Sequence, residues 1–108
     1  MLNDQGYWVG GNTMLESLTA LGNRIVDDPG GWRRRGYRGR NVTLQSEDGQ
    51  VFEVQLHTAA SLDAAERAHP LYERARAAGV GISERKRLAR QQEQLFDAVP
   101  WPDDLPEI

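Results

Sequence analysis

Cysteine is absent from the 108 residues, which excludes a disulfide framework, a zinc–thiolate site and a thiol nucleophile. Lysine is nearly absent as well: of the 13 basic residues all but Lys86 are arginine, the side chain whose planar fork grips phosphate bidentately. No apolar run approaches membrane-spanning length. The N-terminus is neither basic nor followed by an apolar stretch, so neither a spanning helix nor a secretory signal is expected, and a cytoplasmic location fits. Hydrophobic content is only 39%, enough for one modest core and one domain. A net charge of −3 argues against a nucleic-acid binder with a uniformly basic surface.

The charge is unevenly placed. Arg33, Arg34, Arg35, Arg38 and Arg40 crowd one stretch, while a terminal acidic group falls at Asp103, Asp104 and Glu107. After the basic stretch come two strictly alternating runs, Asn41–Ser46 and Gln50–His57, the pattern of strands with one buried face. Val42, Leu44, Phe52, Val54 and Leu56 make the apolar face; Asn41, Thr43, Gln45, Glu53, Gln55 and His57 make the polar one. Glu47-Asp48-Gly49 is a three-residue loop with Gly49 at the left-handed position, so Leu44 should oppose Phe52, Val42 Val54, Thr43 Glu53 and Asn41 Gln55. A two-residue Asp-Gly loop would set Leu44 against Glu53 and spoil both faces.

Around this hairpin, Asn12 or Thr13 can cap a helix carrying Met14, Leu15, Leu18 and Leu21 and ending at Gly22. Arg24-Ile25-Val26 reads as a short strand, stopped by the turn signal Asp27-Asp28-Pro29-Gly30-Gly31. Ser61 should cap a helix from Leu62 towards Arg76 with Pro70 kinking it, and Ser83 a last helix with Leu88, Leu95, Phe96 and Val99 inward. Pro100-Trp101-Pro102 ends it. The expected fold is α+β: a small mixed sheet with the antiparallel hairpin 41–57 at its heart, flanked by helices, in a single partial domain over 1–99 with a loose tail over 100–108.

A carboxylate, amide and imidazole row beside a basic loop is the layout a magnesium-dependent nucleotide enzyme needs. The segments Gly36-Tyr37-Arg38 and Glu53-Val54-Gln55-Leu56-His57-Thr58, followed by Ala65-Glu66-Arg67-Ala68-His69-Pro70-Leu71-Tyr72-Glu73, resemble the second half of the RelA/SpoT-type synthetase domain, which makes (p)ppGpp and related alarmones. They are closer still to a small bacterial branch of that fold found at the C-termini of secreted toxins. The resemblance runs from about residue 20 to residue 76.

What it implies is specific. Glu53 would bind magnesium and help activate the acceptor's 3′-hydroxyl, with Gln55 orienting its neighbours. Tyr37 would stack on the base of a purine nucleotide. Arg35, Arg38, Arg40, Asn41 and His57 would meet the nucleotide and its phosphates. Asn41 stands where the synthetases often carry His, and His57 where they carry Arg, so donor and acceptor identity (ATP with GDP, GTP or an adenine nucleotide) stays open. His69 reads as structural, and a Glu66–His69 metal pair carries little weight. The family also has an N-terminal half with a donor clamp and an Asp on an early strand. Neither Asp4 nor the Asp27-Asp28 turn is in that context, so the chain is expected to hold the acceptor half alone, as a fragment or a degenerate relative, and to be weak or inactive by itself. A toxin module delivered into a target cell's cytoplasm, with a cognate immunity protein or antitoxin, is one setting. The alternative is a non-catalytic module binding nucleotide or RNA through the Arg33–Arg40 loop, with no membrane partner.

Overall fold

The structure is a computed structural model and describes residues 6–106; Asp4 and Glu107 lie outside the described residues. Helix α1 (Tyr7–Ala20) is followed by strands β1 (Arg24–Asp27), β2 (Arg40–Gln45) and β3 (Val51–Leu56), then helices α2 (Ala59–Arg76) and α3 (Ile82–Asp97). The class is α+β, as expected. The sheet, however, is antiparallel throughout rather than mixed, in the order β1-β2-β3. The connection over 28–39 contains no crossover helix, so β2 returns beside β1 in the opposite sense.

The hairpin register is the one its alternation demands: Asn41 opposes Gln55, Val42 Val54, Thr43 Glu53 and Leu44 Phe52. Gly49 closes the loop at φ 89°, and its amide donates to the Ser46 carbonyl at 2.9 Å. Only a residue without a side-chain penalty at positive φ sits there comfortably. Val42, Leu44 and Leu56 are fully buried, and Phe52 and Val54 pack against the same core. Tyr7 and Leu15 of α1, Trp32 of the loop, Ala64 and Ala68 of α2, and Phe96 and Val99 at the end of α3 complete that core. The helices thus pack on the apolar side of β2 and β3, while β1 stays exposed.

Three boundaries differ from the sequence expectation. α1 begins at Tyr7, before the proposed Asn12 or Thr13 cap; its own N-cap is Gly6, which has no side chain to offer. α2 is capped by Thr58 in a reciprocal box with Ser61, so Ser61 is the third residue of the helix rather than its cap. The helix runs uninterrupted through Pro70, which lies on its exposed side. α3 takes Gly81 as its N-cap instead of Ser83.

Part of the 100–106 segment contacts the domain, through Trp101, Pro102 and Asp104. Asp104 accepts the amides of Trp8 at 2.9 Å and Val9 at 3.1 Å, supplying from the tail the cap that α1 lacks locally. Pro102 is buried, and the Trp101 ring lies 6.0 Å from that of Trp32, tilted by 58°. Among the described residues no helix is long and apolar enough to cross a membrane.

Leu44 is 0% exposed at the centre of the core. Leu44→Ala should therefore cost about 2–5 kcal/mol in urea denaturation, and Asp104→Ala about 0.5–2 kcal/mol through the lost cap. Gln55→Ala, on the polar face, should stay within about 0.5 kcal/mol.

Candidate functional site

On the polar side of the sheet the 28–39 loop and the strands enclose a cavity of about 320 Å³, lined by Asp27, Pro29, Gly31, Arg33, Tyr37, Gly39, Asn41, Thr43 and Glu53. Its acidic wall is made by strand register. Thr43 opposes Glu53 on one side and Asp27 on the other, so the two carboxylates flank one threonine on the same face. Across two strand spacings their backbones stand about 9.5 Å apart.

Asp27 reaches that face because β1 is irregular. Ile25 opposes Leu44, yet Asp27 opposes Thr43, with Val26 extra between them. In an unbulged strand Val26 would oppose Thr43 and Asp27 would turn to the apolar face with Val42. Sequence reading left Asp27 in a turn, outside any strand. A strand of four residues carries too little periodicity to show a bulge. The next residue, Asp28, turns the other way, into the interior.

The structure brings together three of the expected residues, Glu53, Tyr37 and Asn41, and places Gln55 beside them. Gln55 Nε2 donates to Glu53 Oε1 at 3.1 Å, which restrains the carboxylate. Arg33, Arg34 and Arg35 are exposed on the loop, and of these Arg33 lines the cavity. Arg38, Arg40 and His57 do not line it; each is at least 95% buried.

Arg40 shares the parity of Val42 and Leu44, so it faces the core. Its Nε and Nη2 bind the two oxygens of Asp28 at 3.0 and 2.5 Å, and Nη1 donates to Asn12 Oδ1 at 2.8 Å. The guanidinium also lies 3.8 Å from the ring centroid of Trp8. An arginine engaged on every side is a strut, not a phosphate clamp, and the alternation already pointed inward. Arg38 donates to the Arg34 carbonyl at 2.7 Å and lies over Trp101, with Asp97 3.9 Å away. His57 sits between Ser61 Oγ, 2.8 Å from Nδ1, and the Tyr37 hydroxyl, 2.8 Å from Nε2. Gly39 permits that packing, since a Cβ there would lie 2.6 Å from His57 Cε1 and 2.8 Å from Tyr37 Cε1.

The electrostatics follow burial. Desolvation pushes the Tyr37 hydroxyl up, against its hydrogen bond with Asn41, and the Glu53 charge adds to the rise, so Tyr37 keeps its proton. Desolvation pushes His57 down, against smaller opposing effects of a backbone hydrogen bond with Arg38 and of the Glu66 charge, which favours the neutral ring. The Arg40 fork holds Asp28 below its ordinary range, with the Gly30 amide assisting.

Among the described residues no group of three or more His, Cys, Asp or Glu side chains could hold a metal ion. Magnesium is commonly bound by one or two carboxylates plus substrate phosphates, and Asp27 and Glu53 are the two carboxylates lining this cavity. Compared with known proteins, the chain matches no family model, no curated protein and no solved structure.

Acid should weaken the fold in two stages. His57 has a folded value below the ordinary 6.5, so the unfolded chain takes up its proton first and stability falls as pH drops below that value. Asp28 is likewise depressed below 3.8; its contribution is complete above that value and is lost as pH falls through the lower folded one. Urea midpoints against pH should show both stages. His57→Gln should flatten the upper one, and Arg40→Ala should lower the midpoint at neutral pH and flatten the lower one, by less than a fully buried pair would because Asp28 keeps contact with water.

Proposed function

We propose that the cavity is a magnesium–nucleotide site and that the chain works as the acceptor half of a RelA/SpoT-like pyrophosphokinase, in which pyrophosphate from ATP passes to the 3′-hydroxyl of a purine nucleotide. One observation carries this reading: Asp27, Glu53, Arg33 and Tyr37 meet in one polar cavity. A carboxylate pair, a cation and an aromatic wall are the elements needed to hold a hydroxyl, phosphates and a base together.

In this reading Glu53 orients the acceptor hydroxyl and offsets its proton, and Gln55 fixes the Glu53 rotamer. Asp27 and Glu53 hold magnesium, which when bound neutralises charge on the phosphate oxygens. Arg33 and the Asn41 amide take phosphate oxygens, with Arg35 on the rim of the loop. Tyr37 offers its half-buried ring to the base. Arg38, Arg40 and His57 support the wall from within. The place of action is a nucleotide-rich cytoplasm, the cell's own or that of a target cell entered as part of a toxin, where an immunity protein would be the partner.

The rival reading is a non-catalytic nucleotide- or RNA-binding module, for which the exposed Arg33-Arg34-Arg35 run is the supporting feature. With Arg38 and Arg40 interior, that surface is smaller than the basic stretch implies. Pure phosphate binding would also fall steeply with salt and need no magnesium.

Titration calorimetry with ATP, GTP and GDP should show magnesium-dependent binding, weakened by about 1.5–3 kcal/mol in Arg33→Ala and losing its magnesium dependence in Glu53→Gln with Asp27→Asn. Turnover to a 3′-pyrophosphorylated product should be low, because Arg33 is the one cation lining the cavity among the described residues and two sets of phosphates must be held in line. No heat with any nucleotide, with or without magnesium, would remove the reading.

A further inference from the structure

Asn41 stands at the end of a chain of hydrogen bonds that begins at the N-terminus of α2. The Thr58 amide donates to Ser61 Oγ at 2.9 Å. Ser61 Oγ has two acceptors within reach, His57 Nδ1 at 2.8 Å and the Thr58 carbonyl at 3.2 Å. That carbonyl already accepts the Leu62 amide at 3.0 Å. The direction is set from the other end: Asn41 Oδ1 can only accept, so Tyr37 donates to it, the Tyr37 oxygen accepts from Nε2, and Nδ1 is left to take the Ser61 proton.

A neutral imidazole with a bare Nδ1 carries its proton on Nε2. Nε2 lies 2.8 Å from the Tyr37 oxygen and donates to it. Tyr37 then gives its own proton to Asn41 Oδ1 at 3.1 Å. Every member of the chain thus accepts one bond and donates the next, all in one direction. With Oδ1 turned to the Tyr37 hydroxyl, the Nδ2 donors are held on the other side of the amide, available to the cavity it lines. Burial, which favours the neutral His57 ring, protects the sequence; an imidazolium would donate from both nitrogens and break the link to Ser61.

We propose that His57 is a positioning residue which, through Tyr37, holds the Asn41 amide with Nδ2 towards the cavity, so that it presents donors to a phosphate oxygen on the same sheet face as the Asp27 and Glu53 carboxylates. The ligand's identity rests on the nucleotide reading above; the relay does not. An amide free to rotate would offer its carbonyl as readily as its NH₂ group and would not discriminate an anion from a donor. Chains of aligned hydrogen bonds also polarise one another, which strengthens the terminal donor. The cavity is divided accordingly: Asp27 and Glu53 suit a metal or a hydroxyl, and Asn41 with Arg33 suits an anion.

Two measurements test this separately. Nitrogen-15 NMR of the His57 ring in the ligand-free chain should show the Nε2–H tautomer at neutral pH. In Tyr37→Phe, which keeps the ring and removes the hydroxyl, the Asn41 side-chain amide signals should move. His57→Gln should move them too, whereas a merely structural histidine would leave them in place. Titration with inorganic pyrophosphate and magnesium should then show about tenfold weaker binding in Asn41→Asp (about 1.4 kcal/mol), where an acceptor replaces the donor, and a smaller loss in Tyr37→Phe. An Nδ1–H tautomer overturns the relay whatever the ligand. Unchanged affinity in both variants, or no pyrophosphate binding by the parent chain, overturns the anion assignment. If the tautomer and the pyrophosphate losses appear while no nucleotide binds, the nucleotide reading fails and the relay stands.

Discussion

The Arg40 guanidinium joins three parts of the chain that are distant in sequence. It projects from β2 into the interior, takes both oxygens of Asp28 just after β1, reaches Asn12 on α1 and lies against the Trp8 ring. A buried cation is tolerated only where hydrogen bonds and an opposite charge replace its water. That requirement places α1 and the start of the 28–39 loop relative to the sheet. The loop in turn carries Arg33 and Tyr37 to the opposite side, so the polar cavity depends on an ion pair that is not part of it.

The Asp27-Asp28 pair shows how little sequence separates structure from function here. The bulge at Val26 sends the first carboxylate to the polar face beside Thr43, and Asp28 turns inward to Arg40. Two identical side chains thereby acquire different surroundings. Asp27 is exposed on the cavity wall, while Asp28 is held ionised by the arginine fork. The close packing of Tyr37 against His57, possible only beside a glycine at position 39, fixes the wall facing them.

The hairpin was legible in the sequence because two physical signals agreed: strict alternation over 41–57 and a glycine where the loop needs a positive φ. The inward parity of Arg40 was legible too, though the density of arginine around it suggested a solvated phosphate loop. The rest had no local signature. The bulge lies in a four-residue strand, below the length at which a period shows. The start of α1 has no capping side chain of its own, because its cap comes from Asp104. The Pro-rich composition of the tail resembles a loose end, and only tertiary contacts with Trp32 and Arg38 show where it meets the domain. Of the site, Glu53, Tyr37 and Asn41 were named by the resemblance, with Glu53 and Asn41 also on the polar face that the alternation marks, while Asp27 required the coordinates.

The bond between Asp104 and the first turn of α1 also bears on the order in which the chain assembles. It joins residues 96 positions apart, whereas the hairpin is closed by three residues. Loop closure over such a span carries an entropic cost that near-neighbour contacts avoid, so the hairpin and the α2–α3 pair are the natural early structures and the tail clasp a late one. Interactions made after the rate-limiting step leave the folding rate alone and slow its reverse. The tail therefore acts as a latch on the finished domain, contributing to how long it stays folded rather than to how fast it folds.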